Sequence, residues 1–320
     1  MKETRCEVFS LKKPKMKLEV RNSLLLLLTA LIWGVAFVAQ RQGGAEAGPY
    51  TFNCIRSLLG AVVLLPVLFF LDRHGNEKKP RTAEDKRRLI TGGVLCGIVL
   101  FVSSTVQQLG LYYGTTAGKA GFLTACYILL VPILGIFLGR KCGWNVWVSV
   151  VVALVGLYFL CLTSGFSFQF SDALVLLCAV CFSVHIMVVD HFSPLVDGVR
   201  MACIQFLTCG LLGVIPMLAV DMRQAGLAGW LQSLGGVSVW IAILYAGVMS
   251  CGVAYTLQIV GQNGLNPTVA SLLMSLESVF SALAGALILQ ERMSRREVLG
   301  SVLVFAAVLF AQIDFSKKSS

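Results

Sequence analysis

Charge is scarce in this chain. Asp, Glu, Lys and Arg make up only 13% of its 320 residues, against about 25% in an ordinary soluble domain. That scarcity excludes a water-soluble globule, which could not cover its own surface with polar groups. Metal-ligand clusters are also missing, because His74, His185 and His191 are not grouped with Cys or Asp at ligand spacing. Phosphate-binding glycine loops are absent, which argues against ATP-driven work by this chain. No aspartate lies deep in an apolar run and only His185 is available there, so the Ser/His, paired-Asp and metal constellations of an intramembrane enzyme are lacking. No cofactor is expected.

What is present is apolar length. Hydrophobic residues make up 57% of the chain, and the mean hydropathy is +0.82. Lipid as solvent removes the surface problem. The net charge of +10 sits in short runs between apolar stretches, so it reads as loop charge and no nucleic acid is expected. Eleven cysteines, most of them inside apolar runs such as Cys54, Cys96, Cys126, Cys178 and Cys251, read as packing residues rather than a disulfide framework.

A spanning helix needs roughly 20 mostly apolar residues. Ten such windows can be marked, at 22–40, 50–71, 89–112, 115–139, 144–162, 171–189, 199–220, 237–258, 267–289 and 296–314. The two longest connections are the charged 72–88 and the Gly-rich 221–236. Residues 1–21 form a basic N-terminal segment, and the first apolar run reads as a retained helix rather than a cleaved signal. Seven basic residues lie in 1–21 and seven in 72–88, and Arg140, Lys141, Lys317 and Lys318 fall on the same side of an even-span topology. Both termini are therefore predicted cytoplasmic, in a multi-pass protein of the plasma (inner) membrane. Arg292, Arg295 and Arg296 are the exception and would face outward.

The chain is doubled. At an offset of 150, Gly97 meets Gly247, Gln108 meets Gln258, Gly114 meets Gly264, Ala120 meets Ala270 and Gly135 meets Gly285. Upstream, an offset of 149 aligns Ala30 with Ala179, Cys54 with Cys203 and Asp72 with Asp221, and sets Trp33 on Phe182 and Arg56 on Gln205. The predicted fold is an all-α membrane protein of ten transmembrane helices, arranged as two inverted five-helix repeats over 22–162 and 171–314. Five is odd, so the second copy enters from the opposite face, an arrangement suited to alternating access around a midplane site.

Family-specific residues follow. Helix one carries Leu31-Ile32-Trp33-Gly34, helix two carries Arg56, and helix nine reads Leu276-Glu277-Ser278-Val279-Phe280 and then Gly285 to Arg292. This pattern resembles the EamA-type transporters of the drug/metabolite transporter superfamily, with Ser278 in place of a usual Pro, Gln290 in place of Gly, and Arg140-Lys141 where the first copy's Glu-Arg would stand. The resemblance implies a ten-helix carrier, with export of an amino acid or metabolite the commonest assignment.

Intramembrane ionisable groups are functional candidates by default. Glu277 lies ten residues past Pro267, about 15 Å along a helix and so near the midplane; it is a protonatable or cation-pairing group, or a structural hydrogen bonder. Tyr127, its mate at the offset of 150, either contacts a ligand or packs. Arg56 either binds an anionic group or pairs within the protein. Lys119, flanked by small residues at the outer mouth, either favours an anionic or zwitterionic substrate or snorkels. Gln107, Gln108, Tyr255 and Gln258 form a polar group that reads as substrate contact or as glue between helices. Trp33 and His185 are weaker candidates. The expected activity is secondary transport of a small polar or zwitterionic solute within the lipid bilayer. Proton or ion coupling and a homodimer are left open. The alternatives are a non-transporting receptor or assembly protein and, less favoured, an intramembrane enzyme.

Overall fold

The structure is a computed structural model that describes residues 13–73, 79–139, 143–161, 169–288 and 294–311. Among the described residues every regular element is helical. The helices are α1 (Lys13–Ala47), α2 (Pro49–Arg73), α3 (Ala83–Tyr112), α4 (Ala117–Ala125), α5 (Tyr127–Phe137), α6 (Trp144–Cys161), α7 (Phe170–Phe192), α8 (Gly198–Pro216), α9 (Arg223–Ser233), α10 (Val237–Leu244), α11 (Tyr255–Gln262), α12 (Pro267–Met274), α13 (Glu277–Ile288) and α14 (Arg295–Ala311). π-Helical stretches at Met217–Met222 and Tyr245–Ala254 join α8 to α9 and α10 to α11.

Among the described residues eight helical rods are long and apolar enough to cross a membrane, and Trp144–Phe159 is a shorter apolar helix. The fifth and tenth expected windows correspond to α6 and α14, which pack along each other. Both windows run past the described residues, as do Arg140, Lys141, Gln290, Glu291 and Arg292. The segment 221–236, expected as a loop, is helical as far as Ser233 except for a kink at Gly226, whose φ is 71°. Its anchor is Asp221, whose Oδ2 accepts from the backbone N of Thr51 at 2.7 Å and from Thr51 Oγ1 at 2.8 Å. A carboxylate there complements the positive end of α2, and Trp230 Nε1 donates to the same Thr51 hydroxyl at 3.0 Å.

Helix starts follow local chemistry. Thr82 and Asp85 form a reciprocal capping box on α3. Asp197 accepts from the backbone N of Val199 and Arg200 at the start of α8. Asn266 caps α12, with Pro267 in the first turn. Two helices are broken inside the apolar region. Between α4 and α5, Cys126 N bonds to Leu123 O and Leu129 N to Cys126 O. Between α12 and α13, Leu276 N bonds to Leu273 O and Ser278 N to Ser275 O. Each break is a tightened turn with i→i−3 bonds. Short side chains then satisfy nearby carbonyls, as a lipid setting demands: Cys126 Sγ donates to Phe122 O and Ser275 Oγ to Leu272 O. No proline is needed at residue 278 to interrupt this helix.

Helix α1 runs through the centre of the bundle, against α13, α11 and the 245–254 stretch. Its approach to α13 is close at Gly34, where a Cβ would lie 2.7 Å from Glu277 O and 2.7 Å from Phe280 Cβ. One apolar cluster joins α1, α5, α6, α7, α12 and α14, and another joins α2, α3, α7, α8 and α11. The candidate site lies where α1 meets both.

Candidate functional site

A narrow cavity sits between α1, α2, α3, α7, α11 and the two broken helices. Its volume is about 40 Å³, space for a few water molecules. Polar liners are Gln40, Arg56, Gln107, Thr124, Ser250 and Glu277, and aromatic liners are Trp33, Phe37, Tyr127, Phe182 and Tyr255. Helix α1 presents Trp33, Phe37 and Gln40 at spacings of four and three residues, one face of a helix.

Glu277 is the first residue of α13, set there by the break. It is 4% exposed, and Tyr127 Oη donates to its Oε1 at 3.3 Å. Tyr127 likewise opens α5 after the equivalent break. The N-terminus of α13 adds a positive half-dipole beside the carboxylate. Ser278, the next residue, donates from Oγ to Gly121 O at 3.0 Å and ties α13 to α4.

Arg56 is 5% exposed. Its Nε and Nη2 both donate to Asn53 Oδ1, at 3.0 and 2.9 Å. Asn53 is held in turn, its Nδ2 donating to Ser104 Oγ at 3.0 Å and Thr105 Oγ1 at 3.1 Å. The guanidinium carbon stands 5.6 Å from the Phe52 ring centre. Among the described residues no carboxylate pairs with Arg56, and none of its hydrogen bonds uses Nη1. Glu277 likewise has no cationic partner among them. A buried guanidinium and a buried carboxyl group therefore line one cavity with no ion pair between them.

Around them the other polar groups divide into committed and uncommitted ones. Gln107 Nε2 donates to Thr124 Oγ1 at 3.1 Å. Trp33 Nε1 and Gln40 Oε1 are buried and have no hydrogen-bond partner. The Trp33 and Tyr255 rings lie 4.6 Å apart, and Tyr255 also meets His185 edge-on at 6.0 Å. His185 Nε2 donates to Gln205 Oε1 at 3.0 Å, so His185 is a buried hydrogen bonder behind the cavity wall.

Six of the ten candidate residues from the sequence meet at this cavity: Trp33, Arg56, Gln107, Tyr127, Tyr255 and Glu277. Lys119, Gln108, Gln258 and His185 do not line it. Lys119 was expected as an unshielded cation at the mouth, but its Nζ pairs with Asp172 Oδ2 at 2.5 Å. Asp172 caps α7 and also accepts from Thr115 Oγ1, so the ammonium is used in joining α4 to α7. Gln108 donates to the backbone oxygen of Gln40 at 2.9 Å and holds α3 to α1. Gln258 is buried with its Oε1 unpartnered. Gln40, Phe37, Phe182 and Ser250 are liners that the sequence reading passed over. Phe182 could have been found as the repeat mate of Trp33, and Phe37 and Gln40 as its neighbours on the same helix face.

Against known proteins, the model of the EamA-like transporter family matches residues 21–162 and again residues 169–312. The chain belongs to that family. EamA-like transporters are multi-pass membrane proteins of the drug/metabolite transporter superfamily. The chain is similar to an uncharacterized transporter of Archaeoglobus fulgidus, 29% identical over 290 residues, with 90% of this chain and 84% of that protein covered. It is also similar to the uncharacterized transporter YoaV of Bacillus subtilis, 23% identical over 310 residues, covering 93% of this chain and 99% of that protein. A solved structure titled "Crystal structure of protein" shares the fold, with a TM-score of 0.73 at 17% identity and coverage of 93% of this chain and 98% of that one. A small-molecule substrate follows from the EamA-like family.

Proposed function

We propose that this protein is a secondary transporter of a small zwitterion, an amino acid or close relative, with Arg56 receiving the carboxylate and Glu277 the cation. The observation that carries the reading is the pair of unpaired opposite charges in one cavity. Gly34 packs against the backbone of Glu277, while Arg56 is bonded to Asn53 on its own helix. The two groups form no ion pair with each other, and a buried ion left without a partner is costly. A solute carrying both charges completes two ion pairs at once.

The wider scheme is ten spans in two inverted halves, with both termini cytoplasmic and export across the plasma membrane as the direction. Helices broken at positions 126 and 276, 150 residues apart, support rocking of the halves about a midplane site. Glu277 is the cavity carboxylate that could carry a coupling proton.

Purified protein in liposomes tests this by counterflow of labelled amino acids. Flux that Arg56→Gln and Glu277→Gln each reduce at least tenfold is expected, with the pH dependence of flux lost in Glu277→Gln. Binding of the same solutes without flux would instead make the protein a receptor, and indifference of both variants would remove the site.

A further inference from the structure

The seam between α2 and α8 repeats its contacts at the offset of 149 from one end to the other. Asp72, in the last turn of α2, pairs with Arg200 in the first turn of α8. Asp221, the mate of Asp72, accepts from the backbone N and hydroxyl of Thr51 in the first turn of α2, at 2.7 and 2.8 Å, and Thr51 is the mate of Arg200. Further in, Cys203 Sγ donates to Ala61 O at 3.6 Å. The mates of those two residues repeat the bond, Cys54 Sγ donating to Gly210 O at 3.4 Å. Ser57 Oγ lies 3.4 Å from Cys209 Sγ, and their mates Phe206 and Gly60 also meet, a Cβ on Gly60 falling 3.5 Å from Phe206 Cγ. Both ends of the seam are therefore tied in one structure. One tie is ionic and is extended by Asp197 and Lys79; the other uses a neutral hydroxyl and a backbone N–H.

A second pair of mate contacts is unequal. Gln108 on α3 donates to Gln40 O on α1 at 2.9 Å. The equivalent bond in the other half would run from Gln258 on α11 to Val189 O on α7, the mates of Gln108 and Gln40. Among the described residues that bond is not made, and Gln258 Oε1 is buried without a partner. Both donors are glutamines and both acceptors are backbone oxygens of a helix, so the chemistry allows the bond in either half and the conformation decides where it forms. Inverted repeats open to alternate sides by exchanging the conformations of their halves. A contact equal in both halves is left unchanged by that exchange. A contact made in one half and broken in the other is reversed by it.

We propose that the α2–α8 seam is the fixed pivot of the transport cycle and that the two glutamines are its switch, Gln108 releasing Gln40 O as Gln258 takes Val189 O. This rests on the secondary-transport reading above and adds which contacts stay and which reverse. One hydrogen bond is exchanged for another of the same kind, so this bond alone favours neither state and a solute with a modest preference shifts the balance.

Reversible cross-links in the full-length protein in liposomes test this, with counterflow of labelled amino acids as the readout and single-cysteine variants as controls for the native thiols. A disulfide in Thr51→Cys/Asp221→Cys locks one end of the seam. A short bis-methanethiosulfonate across Asp72→Cys/Arg200→Cys locks the other. Gly44→Cys/Gln108→Cys locks α1 to α3: a Cβ on Gly44 lies 3.8 Å from Gln108 Cγ, the place a cysteine sulfur takes, which is within reach of a disulfide. Either seam lock should leave flux within about twofold of the same protein reduced. The α1–α3 lock should lower it at least tenfold, with recovery on reduction. Hydrogen exchange of the native protein needs no variant to fold. The amino acid with the largest counterflow should change exchange around Gln40 and Gln258 and leave 61–72 and 198–210 as they were. Loss of flux under a seam lock, full flux under the α1–α3 lock, or a solute effect on exchange along the seam overturns the inference. Native flux that a seam lock abolishes leaves the transport reading standing and removes only the pivot. A native protein without flux removes both.

Discussion

Substituting Gly34 by alanine should damage stability and solute binding together. The added methyl would lie 2.7 Å from the backbone oxygen of Glu277, 2.7 Å from Phe280 Cβ and 2.8 Å from the backbone N of Ser281. None of these is the end of a flexible side chain that could swing away. Carbon atoms rest at about 3.5–4.0 Å from their neighbours, so α1 and α13 must separate by roughly 1 Å along this contact. Overpacking of that kind costs about 1–3 kcal/mol, and backbone neighbours on both sides place this site at the upper end. For a chain of this size each kcal/mol moves the melting midpoint by about 2–4 °C, so a fall of roughly 5–10 °C in detergent is expected. Because Glu277 itself is displaced, amino-acid counterflow in liposomes should fall in the same variant. Gly229→Ala is the control: its nearest contact would be Ala225 Cβ at 3.7 Å, and alanine there should be neutral or slightly stabilising. A Gly34→Ala protein that melts within about 1 °C of the native one and supports equal counterflow would refute the close-contact argument.

Two further outcomes follow from ion pairs and caps. Lys119→Met leaves Asp172, 1% exposed at its side chain, without its cation. The cost should fall somewhat below the roughly 3–5 kcal/mol of a fully buried broken pair, since Lys119 keeps some contact with solvent, and the double variant Lys119→Met/Asp172→Asn should recover part of it. A melting midpoint unchanged in the single variant would contradict the pair. Asp221→Ala removes the acceptor from the first turn of α2 and should cost about 1–2 kcal/mol, read as a lower midpoint; Asp221→Asn should retain part of the stability, and equal melting of all three proteins would show that the cap contributes nothing.

Class and family were legible because they depend on properties that survive without coordinates. Apolar length separates a membrane chain from a soluble one, and the residues around Trp33-Gly34 and Leu276-Glu277 carry the family pattern. Glu277 stood out because a carboxylate in an apolar run is costly wherever its neighbours lie. Lys119 misled for a related reason. The sequence shows a cation among small residues, but its partner Asp172 is 53 residues away and enters through the cap of a different helix. Gln40 failed to stand out because an amide near the end of an apolar helix reads as ordinary glue. Only the structure shows that Gln108 takes its backbone oxygen and leaves its side-chain oxygen buried without a partner. The helix breaks at Cys126 and Ser275–Leu276 were equally hidden, since they are made by tightened turns and short side chains rather than by proline.

The doubling of the chain explains why the site can be asymmetric. Trp33 and Phe182, at an offset of 149, both line the cavity, and so do Tyr127 and Glu277, at an offset of 150. Duplication therefore set two equivalent helix breaks and two equivalent aromatic positions around one space. The charges did not stay duplicated. The mate of Arg56 is Gln205, which is spent on His185, and the mate of Glu277 is Tyr127, which donates a hydrogen bond instead of holding a charge. A fully symmetric pair of halves would present the same sign at both ends of the cavity and would suit a symmetric ion. A guanidinium on α2 and a carboxyl group on α13 impose a direction on whatever lies between them. A solute with a carboxylate at one end and a cation at the other meets that direction in a single orientation.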